Sequence, residues 1–232
     1  MQEDYQKLVA FWNQSLKISK EELDQAKNSI NPTKDWESLA PSPKLIDALK
    51  ILKDKEHVLD YGCGNGWASI VLAKLGCKRI TAVEVAPNAV ETTKCYLEVF
   101  GEGKRVDVKV IDEAWIKNQV PRQYDGFYCS NVIDVIPLAM AKDIISSSYQ
   151  ITTPNAKVIF STNYYIDPLK MQERGFTVKD SQIYIDGILR LNSLTDEEWI
   201  KLFKEYYKEV EVSYFAWPGE NKEARRIFIL SK

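Results

Sequence analysis

The sequence predicts a doubly wound α/β fold, on three observations. A strand, a glycine loop and a helix follow one another from Val58 to Gly76. Strands and helices then alternate as far as Thr162, and the chain closes on two strands joined by a short turn. Strands separated by helices form a parallel sheet with both faces covered, because a parallel connection must cross back over the sheet.

The elements follow in order. From Asp4 to Leu16 the pattern is helical, with Tyr5, Leu8, Val9, Trp12 and Leu16 on one face at three- and four-residue steps. Ser19 and Glu22 form a capping box for a second helix. A polar stretch with Pro32, Trp36, Pro41 and Pro43 leads to a helix from Lys44 to Leu52. Val58 and Leu59 enter the loop with glycines at 62, 64 and 66, and Ile70, Val71, Leu72 and Leu75 mark the helix that follows. Arg79 to Val85 is the second strand, and Pro87 suits the first turn of a helix ending at Gly101. Val106 to Ile111, Gly126 to Ser130 and Lys157 to Thr162 are further strands, with a helix from Ala139 to Ile151 before the last. Alternation around Asp186-Gly187, between Gln182 and Leu191, signals a hairpin. Thr195 and Glu198 box another helix, and Val210 to Ala216 and Arg226 to Leu230 make an antiparallel pair joined through Pro218-Gly219.

Composition narrows the classes of function. At 232 residues, 45% of them apolar, the chain suffices for one α/β domain or two small ones. A net charge of −2 argues against non-specific binding to nucleic acid or an anionic membrane, which wants a basic face. Arg225-Arg226, in an expected strand, is a local basic signal at most. The cysteines, Cys63, Cys77, Cys95 and Cys129, include no C-x-x-C pair, so neither a zinc site nor a disulfide framework is expected. The amino terminus is acidic and no apolar segment has the length of a signal peptide or a membrane span. A soluble, cytoplasmic protein is the expectation; its oligomeric state is not readable.

The glycine loop carries the functional reading. Glycines bring bare backbone against a ligand, and the N–H groups at the helix start offer donors to it. A dinucleotide fingerprint wants a small residue at the last position of G-x-G-x-x-G, where Trp67 stands instead. Asp60-Tyr61-Gly62-Cys63-Gly64-Asn65-Gly66 resembles motif I of the class I S-adenosylmethionine-dependent methyltransferases, Asp/Glu-x-Gly-x-Gly-x-Gly. The resemblance covers Leu45 to the end, most closely up to Asn163. It implies a seven-stranded, mostly parallel sheet with an antiparallel last strand, to which this chain adds N-terminal helices and a β-hairpin. Residues 44–232 would then form the donor-binding domain, with the hairpin inserted near 164–194. Residues 1–43 form a helical segment, read with Tyr5, Trp12 and Trp36 as a lid over the donor. The hairpin is read as the other wall.

The resemblance also implies a donor pocket. Its residues are Asp60, Tyr61, Gly62, Cys63 and Gly64 of the loop, Glu84 and Val85, Asp112 and Glu113, and Asn131 after the fourth strand. Glu84 ends a strand, where a carboxylate accepts from both ribose hydroxyls. Asp112, with the next backbone amide, reads the adenine edge, and Trp115 either covers the adenine or fills a helix–sheet gap. Asp60 supports the loop or neighbours the methionine amino group. Tyr61 and Trp67 either face the sulfonium or belong to the core.

On the acceptor side, Ser130-Asn131-Val132-Ile133 stands where an amide N-methyltransferase of DNA or protein shows Asn/Asp-Pro-Pro-aromatic, so a small-molecule acceptor is expected. The only histidine, His57, precedes the first strand, at the end of the sheet away from the loop. Tyr164 and Asp167, after the fifth strand, and Asp134 are the catalytic candidates; no metal is expected. Two other readings stay open: a nicotinamide-dependent oxidoreductase, and a protein that binds S-adenosylmethionine without transferring its methyl group.

Overall fold

Seven strands form the main sheet: β1 His57–Tyr61, β2 Arg79–Glu84, β3 Val106–Val110, β4 Tyr124–Ser130, β5 Thr152–Thr162, β9 Glu209–Phe215 and β10 Arg225–Ser231. The computed structural model describes residues 2–232, apart from the side chains of residues 2–4 and 20; Met1, in the expected helical segment, lies outside the described residues. The strand order is β3-β2-β1-β4-β5-β10-β9. Strands β1 to β5 pair in parallel, and β10 is antiparallel to both β5 and β9, so β10 alone is reversed. On leaving β1 the chain builds outward through β2 and β3, then returns to place β4 on β1's other side. That reversal is the switch point whose crevice, at the carboxyl ends of the strands, takes ligands in open α/β sheets.

Helices α1 (Gln2–Ser15), α2 (Lys20–Ser29), α3 (Pro43–Leu49), α4 (Trp67–Lys74), α5 (Pro87–Phe100), α6 (Leu138–Ile151), α7 (Pro168–Glu173) and α8 (Asp196–Lys204) surround the sheets. The two-residue alternation of the strands divides the interior. Leu59, Phe127, Val158 and Phe228 point into a core shared with α6 and α8, while Val58, Tyr128, Ile159 and Ile227 point into one shared with α3, α4 and α5. Both predicted capping boxes form: Glu22 N–H donates to Ser19 Oγ at 3.1 Å, and Glu198 N–H to Thr195 Oγ1 at 3.3 Å.

Several boundaries move. The helix expected over Lys44 to Leu52 ends at Leu49 and continues as a 3₁₀ turn. Strand β5 begins at Thr152, five residues early, and passes Pro154 through a register shift opposite Tyr124 and Gly126. An irregularity of that kind is where a strand tolerates proline. The hairpin at Asp186-Gly187, β7 (Gln182–Ile185) with β8 (Ile188–Asn192), gains a third antiparallel strand, β6 (Thr177–Lys179). A three-residue strand and the six-residue α7 are too short to leave a period in the sequence.

Helix α1 bridges the two sheets' territories. Asn88 at the start of α5 donates from N–H to Asn13 Oδ1 at 2.8 Å and from Nδ2 to Asn13 O at 2.9 Å. On the other side the Arg190 guanidinium of β8 lies 3.8 Å over the Phe11 ring. Leu8 is 2% exposed, within the core of α6 and α8. Arg225 and Arg226 are buried, paired with Glu220 and Asp196 respectively, so they contribute no basic surface.

Candidate active site

The loop after β1 is fixed from three sides. Gly62 and Cys63 N–H both donate to Val83 O of β2, at 2.8 and 3.0 Å, which folds the loop back over the sheet edge. Ser69 Oγ on α4 donates to the Asp60 carboxyl at 2.6 Å, and Thr93 Oγ1 on α5 donates to Gly64 O at 2.8 Å. Gly62 has φ +74°, and a Cβ there would lie 2.2 Å from Val132 Cγ2. Gly64, at φ +53°, faces open space. Only glycine gives both the left-handed turn and the close approach of the loop after β4.

Glu84, at the end of β2, closes this ring of contacts. Its Oε2 accepts from Gly64 N–H at 3.1 Å, and its Oε1 from Val85 and Ala86 N–H at 2.7 and 3.1 Å. Burial pushes the Glu84 carboxyl up, opposed by these three amides. The carboxylate is therefore positioned by backbone alone, at the mouth of the loop.

A cavity of about 240 Å³ begins here. Tyr61, Gly62, Gly64, Glu84 and Val85 form one side, and Ser130, Asn131, Val132, Val135 and Ile136 of the loop after β4 form another. Met140 and Ile144 of α6, Asn163 and Trp217 continue the wall, and α1 contributes Tyr5, Leu8, Val9 and Trp12. A second hollow, about 500 Å³, runs under the same helix between Tyr5, Val9 and Asn13 and the residues Val85, Ile111, Asp112 and Glu113. Two N–H donors in the first wall, Trp12 Nε1 and Asn131 Nδ2, are buried with no partner.

Of the residues named from the sequence, Tyr61, Gly62, Gly64, Glu84, Val85 and Asn131 line the first cavity, and Val85, Asp112 and Glu113 the second. Asp60 and Cys63 are buried beneath the loop and line neither hollow. Burial pushes the Asp60 carboxyl up to about 7, and Ser69 partly offsets this, so its geometry is that of loop support. Trp67 makes an edge contact with Tyr128, and Trp115 packs on the core; neither reaches the cavity.

The catalytic candidates are not brought to the cavity wall. Asp167 caps α7, accepting from Leu169 N–H at 3.0 Å, and Tyr164 is turned outward beside Arg225. Asp134 is wholly buried behind the wall, where its Oδ2 accepts from Asn163 N–H and Nδ2, each at 2.7 Å. Trp36 packs with the core of α3 and α4, away from α1's cavity, and Asp186-Gly187 lines neither hollow. The sequence reading missed Asn163 and Trp217. Asn163 sits directly after β5 at the ligand end of the sheet, a signal that was available; Trp217, far along the chain between β9 and β10, gave none.

His57 opens β1, at the far end of the sheet, with Nε2 2.9 Å from Thr81 Oγ1 and Nδ1 2.6 Å from the Arg79 guanidinium. Because the guanidinium can only donate, Nδ1 carries the lone pair and the ring is neutral. Burial, then the Arg79 charge, lowers its pKa to about 4. Among the described residues no three His, Cys, Asp or Glu side chains gather into a metal-binding group, and no helix is long and apolar enough to cross a membrane.

Comparison with known proteins agrees with this geometry. A ubiquinone biosynthesis O-methyltransferase of Xanthomonas campestris pv. campestris (strain B100) is 27% identical over 131 residues, covering 56% of this chain and 53% of the relative. A ribosomal protein L11 methyltransferase of Prochlorococcus marinus (strain AS9601) is 31% identical over 114 residues, covering 48% of this chain and 36% of the relative. The chain thus spans about half the length, or less, of the curated relatives it matches. Among solved structures, the PH0226 protein of Pyrococcus horikoshii OT3 shares the fold with a TM-score of 0.62 at 16% identity, over 82% of this chain and 86% of that one. The N-methyltransferase NodS of Bradyrhizobium japonicum WM9 does so with a TM-score of 0.57 at 15% identity, over 81% and 94%. The methyltransferase-domain family matches residues 36–212, well over half of the chain. The chain belongs to that family, the class I S-adenosylmethionine-dependent methyltransferases.

Proposed function

We propose that this protein transfers the methyl group of S-adenosylmethionine to a small molecule by in-line displacement, releasing S-adenosylhomocysteine. One observation carries the reading: a single cavity joins the glycine loop and Glu84 to an enclosed, mostly apolar wall, so a donor and a small acceptor share one space. S-adenosylmethionine supplies an activated methyl group and is consumed as a substrate. The residues present fit it. Glu84 keeps lone pairs for ribose hydroxyls beyond the three amides it accepts, since a carboxylate offers about four acceptor positions. The open face at Gly64 and the unpartnered Asn131 Nδ2 suit the methionine part, and Asp112 with the Glu113 amide suits the adenine edge.

The chain's own task is positioning. A good leaving group needs the acceptor held in line more than it needs acid or base help, and such orientation is worth about 7–11 kcal/mol in favourable intramolecular cases. Helix α1, laid over both hollows and latched to α5 through Asn13, is in our reading the lid that holds the reactants and excludes water. The buried arginines and the net charge of −2 favour a small-molecule partner over nucleic acid or membrane. Four free cysteines suit a reducing compartment, and we assign the protein to the cytoplasm.

Calorimetric titration with S-adenosylmethionine, S-adenosylhomocysteine and NAD tests the donor. The expected result is micromolar binding of both sulfur nucleosides, about −8 kcal/mol, and none of NAD. NAD binding alone would overturn the reading of the loop.

A further inference from the structure

The charges in the cavity wall bear on the kind of acceptor it serves, given the methyl-transfer reading above. Among the described side chains that line it, Glu84 is the one carboxylate, and its oxygens already accept from three backbone amides. Burial, then the carboxylates of Glu113, Glu84 and Asp112, pushes the Tyr5 hydroxyl up to about 12, and burial raises Tyr61 as well. At neutral pH both are hydrogen-bond donors and neither is a base. Asp134 is wholly buried behind the wall and not part of the lining, its Oδ2 accepting from Asn163 and its Oδ1 without a partner, and His57 lies at the opposite end of the sheet. Among the described residues the lining contains no lysine, arginine or histidine, and the guanidinium behind it, Arg225 against Asn163 and Trp217, is already paired with Glu220. The two unpartnered groups on residues of the wall, Trp12 Nε1 and Asn131 Nδ2, are both buried donors.

An amine acceptor fits this wall poorly. At neutral pH an aliphatic amine is a cation, with no base here to take its proton, and a low-dielectric wall strengthens its repulsion from a sulfonium. An acidic hydroxyl or thiol meets the opposite situation. Its anion finds in the sulfonium the opposite charge that the wall lacks, and transfer removes both charges, which an apolar site favours over moving one.

We propose that the acceptor is an apolar weak acid (a phenol, enol or thiol) that reacts as its own anion, with the sulfonium as counter-ion and no side chain as base. The acceptor gives its proton to water. A lone pair on its oxygen or sulfur then forms the bond to the methyl carbon, and the carbon–sulfur bond breaks with its pair left on sulfur. The methylated acceptor gains no charge, and the sulfonium's positive charge is gone.

Nitrophenols of graded acidity, with aliphatic amines as controls, test this on the full chain. The expected kcat/KM falls about tenfold per pH unit below each phenol's own pKa, so the midpoint moves with the phenol. Amines are expected to react at least about a hundredfold more slowly. A binding readout accompanies the rates: the absorption of a nitrophenol bound beside sinefungin, whose amine carries the sulfonium's charge, against one bound beside S-adenosylhomocysteine. The phenolate band should persist below the phenol's solution pKa only beside the cation. One midpoint shared by all phenols, amines reacting as well as phenols, identical spectra in the two complexes, or no nitrophenol binding would each overturn the proposal. If neither sulfur nucleoside binds, the donor reading itself fails; if they bind and the spectra do not differ, this proposal alone fails.

Discussion

Replacing Gly62 or Gly64 by alanine puts the same methyl group into the same loop and separates folding from binding. Both residues are left-handed, at φ +74° and +53°. An L side chain there costs about 1–2 kcal/mol. At Gly62 the new Cβ would lie 2.2 Å from Val132 Cγ2, closer than real contacts allow. Forcing the two apart adds about 1–3 kcal/mol of overpacking. The sum for Gly62→Ala is about 2–5 kcal/mol, a fall in Tm of roughly 4–20 °C for a chain of this size. At Gly64 nothing lies within 4 Å of the added carbon, so only the backbone cost remains. That carbon faces the open side of the loop in the cavity, and affinity for S-adenosylhomocysteine should fall at least tenfold, about 1.4 kcal/mol. Urea unfolding gives the first quantity and calorimetric titration the second. A Val132→Ala change should recover part of the Gly62→Ala loss, with a coupling of about 1–3 kcal/mol. A Gly62→Ala protein as stable as the parent, or a Gly64→Ala protein that loses more stability than Gly62→Ala, would refute the reasoning.

Three further outcomes are expected. His57 is held neutral with a pKa of about 4, below the usual His value, so the unfolded chain takes the proton first and stability falls as pH drops from about 6.5 towards 4. The loss approaches about 3 kcal/mol at its fullest and levels off below pH 4; His57→Gln should flatten it, and parallel urea midpoints for parent and variant would count against the assignment. Asn13→Ala removes the side-chain acceptor for Asn88 N–H, a loss of about 0.5–1.5 kcal/mol, and should speed nucleoside release several-fold in stopped-flow with a fall in Tm of about 1–6 °C. An unchanged release rate would mean that α1 does not gate the site. Arg226→Ala leaves Leu194 O and the Asp196 carboxylate without their buried donor and should cost about 3–5 kcal/mol, read by denaturation; a loss under 1 kcal/mol would contradict the buried pairing.

Much of this protein is local and was legible in the residues. The apolar run of Val58 and Leu59, the capping boxes at Ser19 and Thr195, and the Asp186-Gly187 turn each need only a few neighbouring residues to declare themselves. The same holds for the glycine loop and its neighbours. Glycines at 62 and 64, with Glu84 at a strand end, specify their places because each strand's carboxyl end falls at one edge of a parallel sheet. The sequence could also place His57 at the wrong end for catalysis, and the structure does put it there.

What lay beyond the sequence depends on contacts between distant segments. Nothing in α1 says that Tyr5 and Trp12 face the cavity while Trp36 packs elsewhere; that follows from Asn13 meeting Asn88 and Leu8 entering the core. Asp134 and Asp167 carry the right chemistry for a base, yet Asp134 is wholly buried behind Asn163 and Asp167 caps α7, and neither lines the cavity. Arg225-Arg226 reads as a basic pair along the chain, and Glu220 and Asp196 absorb it in space. A carboxylate's type is written in the sequence, whereas its availability depends on which donors the fold brings within about 3 Å of it. The sequence by itself therefore determined the scaffold and the glycine loop, and the tertiary structure alone decided which side chains face the cavity and which are buried or paired elsewhere.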